Sequence, residues 1–164
     1  MQIESFKDMY IAELQELADM ERQLSETLLF MPGVASHPSL KNALTRHREQ
    51  TLAQAGRLES ILTKHGASAE AHTDQAMEAL VAESEKMLKL LEGNDLRDAG
   101  LIASAQKLEH YEIAAYGTAA ALAGQLGLRD EQRMLHDSLE EERAADALLT
   151  GIAKGEINQD ALAA

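Results

Sequence analysis

Three observations predict an all-α protein built as a bundle of four long helices, with a shorter helix crossing between the second and the third. Ala, Leu, Glu and Gln dominate the 164 residues, aromatics make up only 3%, and the two prolines, Pro32 and Pro38, fall together at one early break. Apolar residues recur at helical spacing through four segments of roughly 25–30 residues, each about 40 Å long as a helix. Glycine and proline mark the gaps between these segments.

The first helix is expected from about Ile3 to Met31, with Ile3, Phe6, Tyr10, Leu14, Leu17, Leu24 and Leu28 on one face and Pro32-Gly33 as its end. Ser36-His37-Pro38 restarts the chain, proline being suited to a first helical turn. The second helix carries Leu40, Leu44, Thr51, Ala55, Leu58 and Leu62 and stops at Gly66. After a polar stretch, Thr73 is read as the cap of a shorter helix, Asp74 to Glu92, with Leu80, Val81, Leu88 and Leu91 on one side. Gly93-Asn94-Asp95 opens the next long helix, which reaches Leu126, and Gly127 separates it from the last, about Arg129 to Lys154. The final residues read as frayed. Two tight hairpins joined by a long crossover make one domain over residues 1–164, with the connectivity of ferritin-like bundles.

Charge and composition narrow the function. A net charge of −13 argues against nucleic-acid binding and against anionic membranes. Cysteine is absent, which excludes disulfides and thiolate metal sites. No apolar run approaches the roughly 20 residues that span a bilayer, and no basic-then-apolar leader is evident, so a cytoplasmic location is expected.

Placing the polar residues at about 100° per residue puts several acids where apolar side chains belong. Glu21 lies about 40° from Leu17, within the apolar stripe, with Glu13 on its opposite edge, whereas Glu16 and Asp19 point away. His47 and Thr51 fall between Leu44 and Leu58, with Gln50 and Gln54 on the stripe's edge and Glu49 outside. Glu112 is central on the next long helix, flanked by Glu109 and Tyr116, while His110 faces away. Glu142 and Asp146 sit inside the face made by Leu135, Leu139 and Leu149, and Glu140 and Glu141 read as surface residues. The hairpin turns bring Glu21 level with His47, and Glu112 level with the stretch from Glu142 to Asp146.

Buried unpaired charge costs several kcal/mol per group, so five inward carboxylates need compensation. Arg48 is the one basic residue near an inward face at this level, and it lies on the edge. The remaining choices are metal ions, protonation or a wet core. Carboxylates with imidazole suit iron or manganese, and two metals can share bridging carboxylates from opposite helices. The candidate ligands are Glu21, His47, Glu109, Glu112, Glu142 and Asp146, with Tyr116, Gln50 and Thr51 as candidate hydrogen-bonding partners behind them. His37, His65, His72 and His136 read as solvated or capping residues near helix ends or on outer faces.

The segment L-I-A-S-A-Q-K-L-E-H-Y-E-I-A-A-Y-G-T, Leu101 to Thr118, resembles the signature of the YciE/YciF family of bacterial ferritin-like, stress-associated proteins. So do A-D-M-E-R-Q-L, Ala18 to Leu24, and L-E-E-E-R-A-A-D, Leu139 to Asp146. The resemblance runs nearly end to end. It implies a ferritin-like bundle, commonly a homodimer, with a di-metal centre akin to that of rubrerythrin, on the same six ligand positions. Two departures thin the second helix's ligand set: Gln50 stands where relatives often carry a carboxylate, and Leu52 where some carry histidine. No Glu-x-x-His motif occurs.

Two functions follow from different classes. One is a carboxylate-bridged di-iron or di-manganese protein, with at most two metals per chain, acting as an oxidase or peroxidase on oxygen or peroxide. The other is a metal-free helical scaffold or interaction protein that retains the polar core. A second apolar stripe, Ile11, Leu29, Leu52, Ile102 and Ile113, is open to cover by the crossover helix or by a second copy, and a homodimer is expected.

Overall fold

The computed structural model describes residues 3–164. Helix α1 spans Phe6–Val34, α2 Pro38–Lys64, α3 Gln75–Leu90, α4 Asn94–Gln125 and α5 Arg129–Ile152. A π-helical turn, Ala153–Ile157, then leads into the short α6, Asn158–Ala163. The hairpins α1/α2 and α4/α5 form the two halves of the bundle, and α3 crosses over against α4 and α1. No helix among the described residues is long and apolar enough to cross a membrane.

Local chemistry sets the boundaries. Ser5 caps α1, its hydroxyl accepting from the Asp8 amide at 3.1 Å. Pro38 occupies the first turn of α2 as expected. Gly66 (φ 67°) and Gly127 (φ 73°) adopt the left-handed conformation that ends the helices before them.

Three boundary expectations are corrected. Helix α1 continues through Pro32 to Val34, because a proline in a last turn removes one amide without preventing the Ala35 amide from closing on the Met31 carbonyl. The cap of α3 is Asp74, not Thr73, with its carboxylate accepting from the amides of Ala76 and Met77. Beyond Lys154 the chain stays helical to Ala163 rather than fraying, anchored by the buried Ile157 and by His37, which holds Glu156 at 2.9 Å, although α6 buries none of its residues.

The core runs along α1 from Tyr10 to Met31 and along α4 from Leu101 to Ala123, with Leu40, Leu44, Leu58, Leu135 and Leu139 opposite. Met77 is the fully buried apolar residue of α3, and Leu80, Val81 and Leu88 of the expected stripe pack part-buried against the core. Ile3 and Phe6, expected inside, are exposed where α1 begins beyond the end of the core. Of the second stripe, Ile102 is buried and Ile11 and Ile113 pack on the core, while Leu29 and Leu52 stay exposed.

Buried acids also hold the bundle together away from its centre. Asp19 is buried rather than pointing away, because it accepts from the Asp74 amide and from Gln23, where the chain enters α3. Glu131 joins Tyr10 (2.9 Å) and His65 (2.9 Å) at one end, so His65 is an interior partner rather than a solvated end residue. Asp98 of α4 accepts from the amides of Ser36 and His37, both at 2.7 Å, tying the second hairpin to the first turn of α2. Asp98→Ala leaves both amides unpartnered, so the unfolding free energy in urea is expected to fall by roughly 2–4 kcal/mol. A change under about 0.5 kcal/mol would remove that role.

Candidate metal centre

Each long helix delivers an acid or a histidine to mid-bundle: Glu21 from α1, His47 from α2, Glu109 and Glu112 from α4, and Glu142 from α5. All five are buried, with Glu21, Glu112 and Glu142 at 0% exposure. The i, i+3 spacing of Glu109 and Glu112 puts both on the inward side of α4. One ligand atom from each of His47, Glu109, Glu112 and Glu142 falls within 4.8 Å of the others. His47 Nε2 lies 3.0 Å from Glu109, 3.8 Å from Glu142 and 4.0 Å from Glu112.

These groups converge, and apart from a contact between Glu109 and Glu142 they leave one another unsatisfied. Both nitrogens of His47, both oxygens of Glu112 and one oxygen each of Glu21, Glu109 and Glu142 are buried with no hydrogen-bond partner. Even the 3.0 Å approach of His47 to Glu109 lacks hydrogen-bond alignment. Buried polar atoms are normally partnered, so a convergent set of orphaned oxygen and nitrogen ligand atoms fits a metal cation.

Electrostatics agrees with the geometry. Burial pushes Glu109 up to about 8, with the nearby Asp146 charge adding to the rise. Burial also pushes Glu142 up to about 8, partly offset by His47. Glu112 and Glu21 are held well above the usual carboxylate range, first by burial and then by repulsion from Glu142. Burial lowers His47, keeping its imidazole in the neutral form that binds metals.

The remaining expected residues fall around this cluster. Tyr116, fully buried, donates its hydroxyl to Glu21, a ligand candidate. Thr51 is also buried, but its hydroxyl donates back to the His47 carbonyl rather than to a ligand side chain. Gln50 lines a cavity beside His47 and Glu109. Asp146 stands apart from the four-residue cluster. It accepts from Gln106 at 2.9 Å, with its side chain 22% exposed and His110 3.5 Å away. One helical turn beyond Glu142, it has reached the rim of the α4/α5 interface.

Two partners escaped the sequence reading. Gln54, read as an edge residue, is fully buried and donates to Glu142 and, at 3.1 Å, to Glu141. Arg57 grips Glu141 with two bonds of 2.6 and 2.8 Å. Glu141 is therefore only part-exposed, and a cation stands one layer outside the acids. Arg48, by contrast, donates to the Ser25 carbonyl. The i, i+7 spacing of His47 and Gln54 was the available signal. Arg57 had none, since a long side chain can reach back from a helix edge.

An all-helical bundle with a buried His/Glu cluster is the class that fold and site define. The sequence profile of the family described as a domain of unknown function, DUF892, matches residues 5–162. Protein YciF of Escherichia coli (strain K12) is 37% identical over 162 residues, 98% of each chain. The crystal structure of that E. coli stress protein covers 95% of this chain and 99% of its own, with a TM-score of 0.89 at 37% identity. YcfI from Rhodopseudomonas palustris, whose description proposes a structural role, matches with a TM-score of 0.87 at 33% identity, over 91% of this chain and 95% of its own. A Xanthomonas campestris protein at 19% identity shares the fold, with a TM-score of 0.75 over 97% of this chain and 95% of its own. The chain belongs to the DUF892 family, the family of YciF.

Proposed function

We propose that the protein is a metal-dependent stress protein whose buried cluster holds iron or manganese, with at most two ions per chain, and reacts with oxygen or peroxide. The observation that carries this reading is the convergence of His47, Glu109, Glu112 and Glu142 with their donor atoms unpartnered. Those four side chains hold the first ion. Glu21, with one oxygen free and the other fixed by Tyr116, is the remaining buried carboxylate for a second. Bound iron or manganese supplies one-electron chemistry that none of these side chains offers alone.

The chain's own groups set the conditions. Gln54 and Tyr116 orient Glu142 and Glu21, as hydrogen bonds from behind orient ligands generally. Apolar layers lie above and below the cluster along the bundle, and a groove between α2 and α5 gives access to His47 and Glu109. Gln50 in place of an acid leaves α2 with His47 as its ligand, making the second ion the weaker one. We also propose a homodimer in which the exposed Leu29 and Leu52 are covered by a second copy.

Protein loaded anaerobically with Fe(II) is expected to oxidise that iron with hydrogen peroxide or oxygen at least roughly tenfold faster than iron in buffer. His47→Ala should abolish the difference. Equal rates with protein and with buffer would contradict the redox role. The scaffold reading, in line with the structural role proposed for YcfI, would then be favoured.

A further inference from the structure

A cavity of about 250 Å³ lies in the groove between α2 and α5, and its inner end is formed by His47 and Glu109. Its walls are Ala43, Leu44, Ala144, Ala145, Leu148 and Leu149, with the Gln50 amide beside His47 and Arg46 at the mouth. Leu148 is 45% exposed, which at the rim of an aliphatic cavity has a use that it lacks elsewhere on a helix surface. The two residues at the inner end carry buried atoms without partners, namely both nitrogens of His47 and one oxygen of Glu109.

We propose that this cavity binds a small neutral amphiphile, an aliphatic alcohol or alkyl hydroperoxide, inserted with its hydroxyl toward His47 and Glu109 and its chain against the leucines and alanines. A hydroxyl is both donor and acceptor, which suits an imidazole nitrogen beside a carboxyl oxygen and an amide. A charged head of either sign would lose its hydration at this buried inner end, where a neutral hydroxyl loses far less. The apolar walls need a chain to displace water from them. At roughly 30 Å³ per small group, the volume takes roughly eight non-hydrogen atoms. In the metal-free protein His47 and Glu109 are both open to the hydroxyl, and the site adds a class of organic ligand to the proposed function.

The test is titration of metal-free protein with straight-chain alcohols, read by the ring-nitrogen NMR signals of His47. Binding is expected to saturate and to tighten about fourfold for each added methylene. The gain should stop near heptanol, where roughly eight non-hydrogen atoms fill the space. Heptanol should bind more tightly than heptanoate or heptylamine, and Ala145→Phe should abolish binding. A His47 signal that never saturates, affinity that keeps rising past nonanol, or equal binding of the charged analogues would overturn the proposal. The chain-length series uses unaltered protein, so its outcome does not depend on Ala145→Phe folding. Repetition with Mn(II)-loaded protein separates the two readings: failure of metal loading leaves the alcohol result intact. Alkyl hydroperoxides that bind like the alcohols but are reduced only by Fe(II)-loaded protein, with two Fe(II) oxidised and two protons consumed for each hydroperoxide converted to alcohol and water, would mark the hydroperoxide as the reacting ligand.

Discussion

Metal-free protein is expected to lose stability as pH rises from about 5 to about 8, the reverse of ordinary behaviour for carboxylates. Glu109 and Glu142 are each raised to about 8, and Glu21 and Glu112 are raised in the same direction. An unfolded glutamate titrates near 4.5, so between that value and about 8 the folded chain binds more protons than the unfolded one. Stability then falls with rising pH, and the loss is complete only above the folded values. His47 acts in the opposite sense, since its lowered value makes the folded state bind fewer protons below 6.5, but it is one group against four. One net proton held over roughly three pH units is worth about 4 kcal/mol. The melting temperature should accordingly fall by roughly 10 °C between pH 5 and pH 8. Saturating Mn(II) should flatten or invert that slope, because the ion binds only the deprotonated carboxylates. A metal-free melting temperature that rises across this range would contradict the account.

Replacing Glu112 with glutamine is expected to separate metal binding from folding more sharply than any other single change. Glu112 is fully buried, both its oxygens lack partners, and it is repelled by Glu142, Glu21 and Glu109. The amide keeps the shape and removes a charge from the middle of the cluster. Metal-free Glu112→Gln should therefore be more stable than the parent at pH 8, by roughly 1–3 kcal/mol, as when buried charges are replaced by neutral groups of similar volume. Its metal content should collapse. Chemical denaturation at pH 5 and pH 8 checks the first half. Equal destabilisation at both values would mean that Glu112 acts as an ordinary packing residue.

The bundle and most of this cluster were legible because helical periodicity fixes direction. Glu21, His47, Glu109, Glu112 and Glu142 share phase with leucines on their own helices, so burying the leucines buries the acids. Asp146 has nearly the same phase as Glu142, yet lies one turn farther along α5, where Gln106 and His110 meet it at the rim. Phase within one helix does not show where the neighbouring helix ends its cover. Gln54 and Arg57 were missed for a related reason: their roles come from which residue of α5 stands opposite α2, and that depends on packing between hairpins. The π-helical turn at Ala153–Ile157 was also hidden, since a single wide turn leaves no signature in local composition.

The most direct test of the central claim is elemental analysis of the purified protein and of Glu112→Gln, after anaerobic loading with Fe(II) or Mn(II) and removal of free ions. The account predicts between about one and two metal ions per chain in the parent and almost none in the variant. A parent chain that retains neither ion, or a variant that retains as much as the parent, would contradict it.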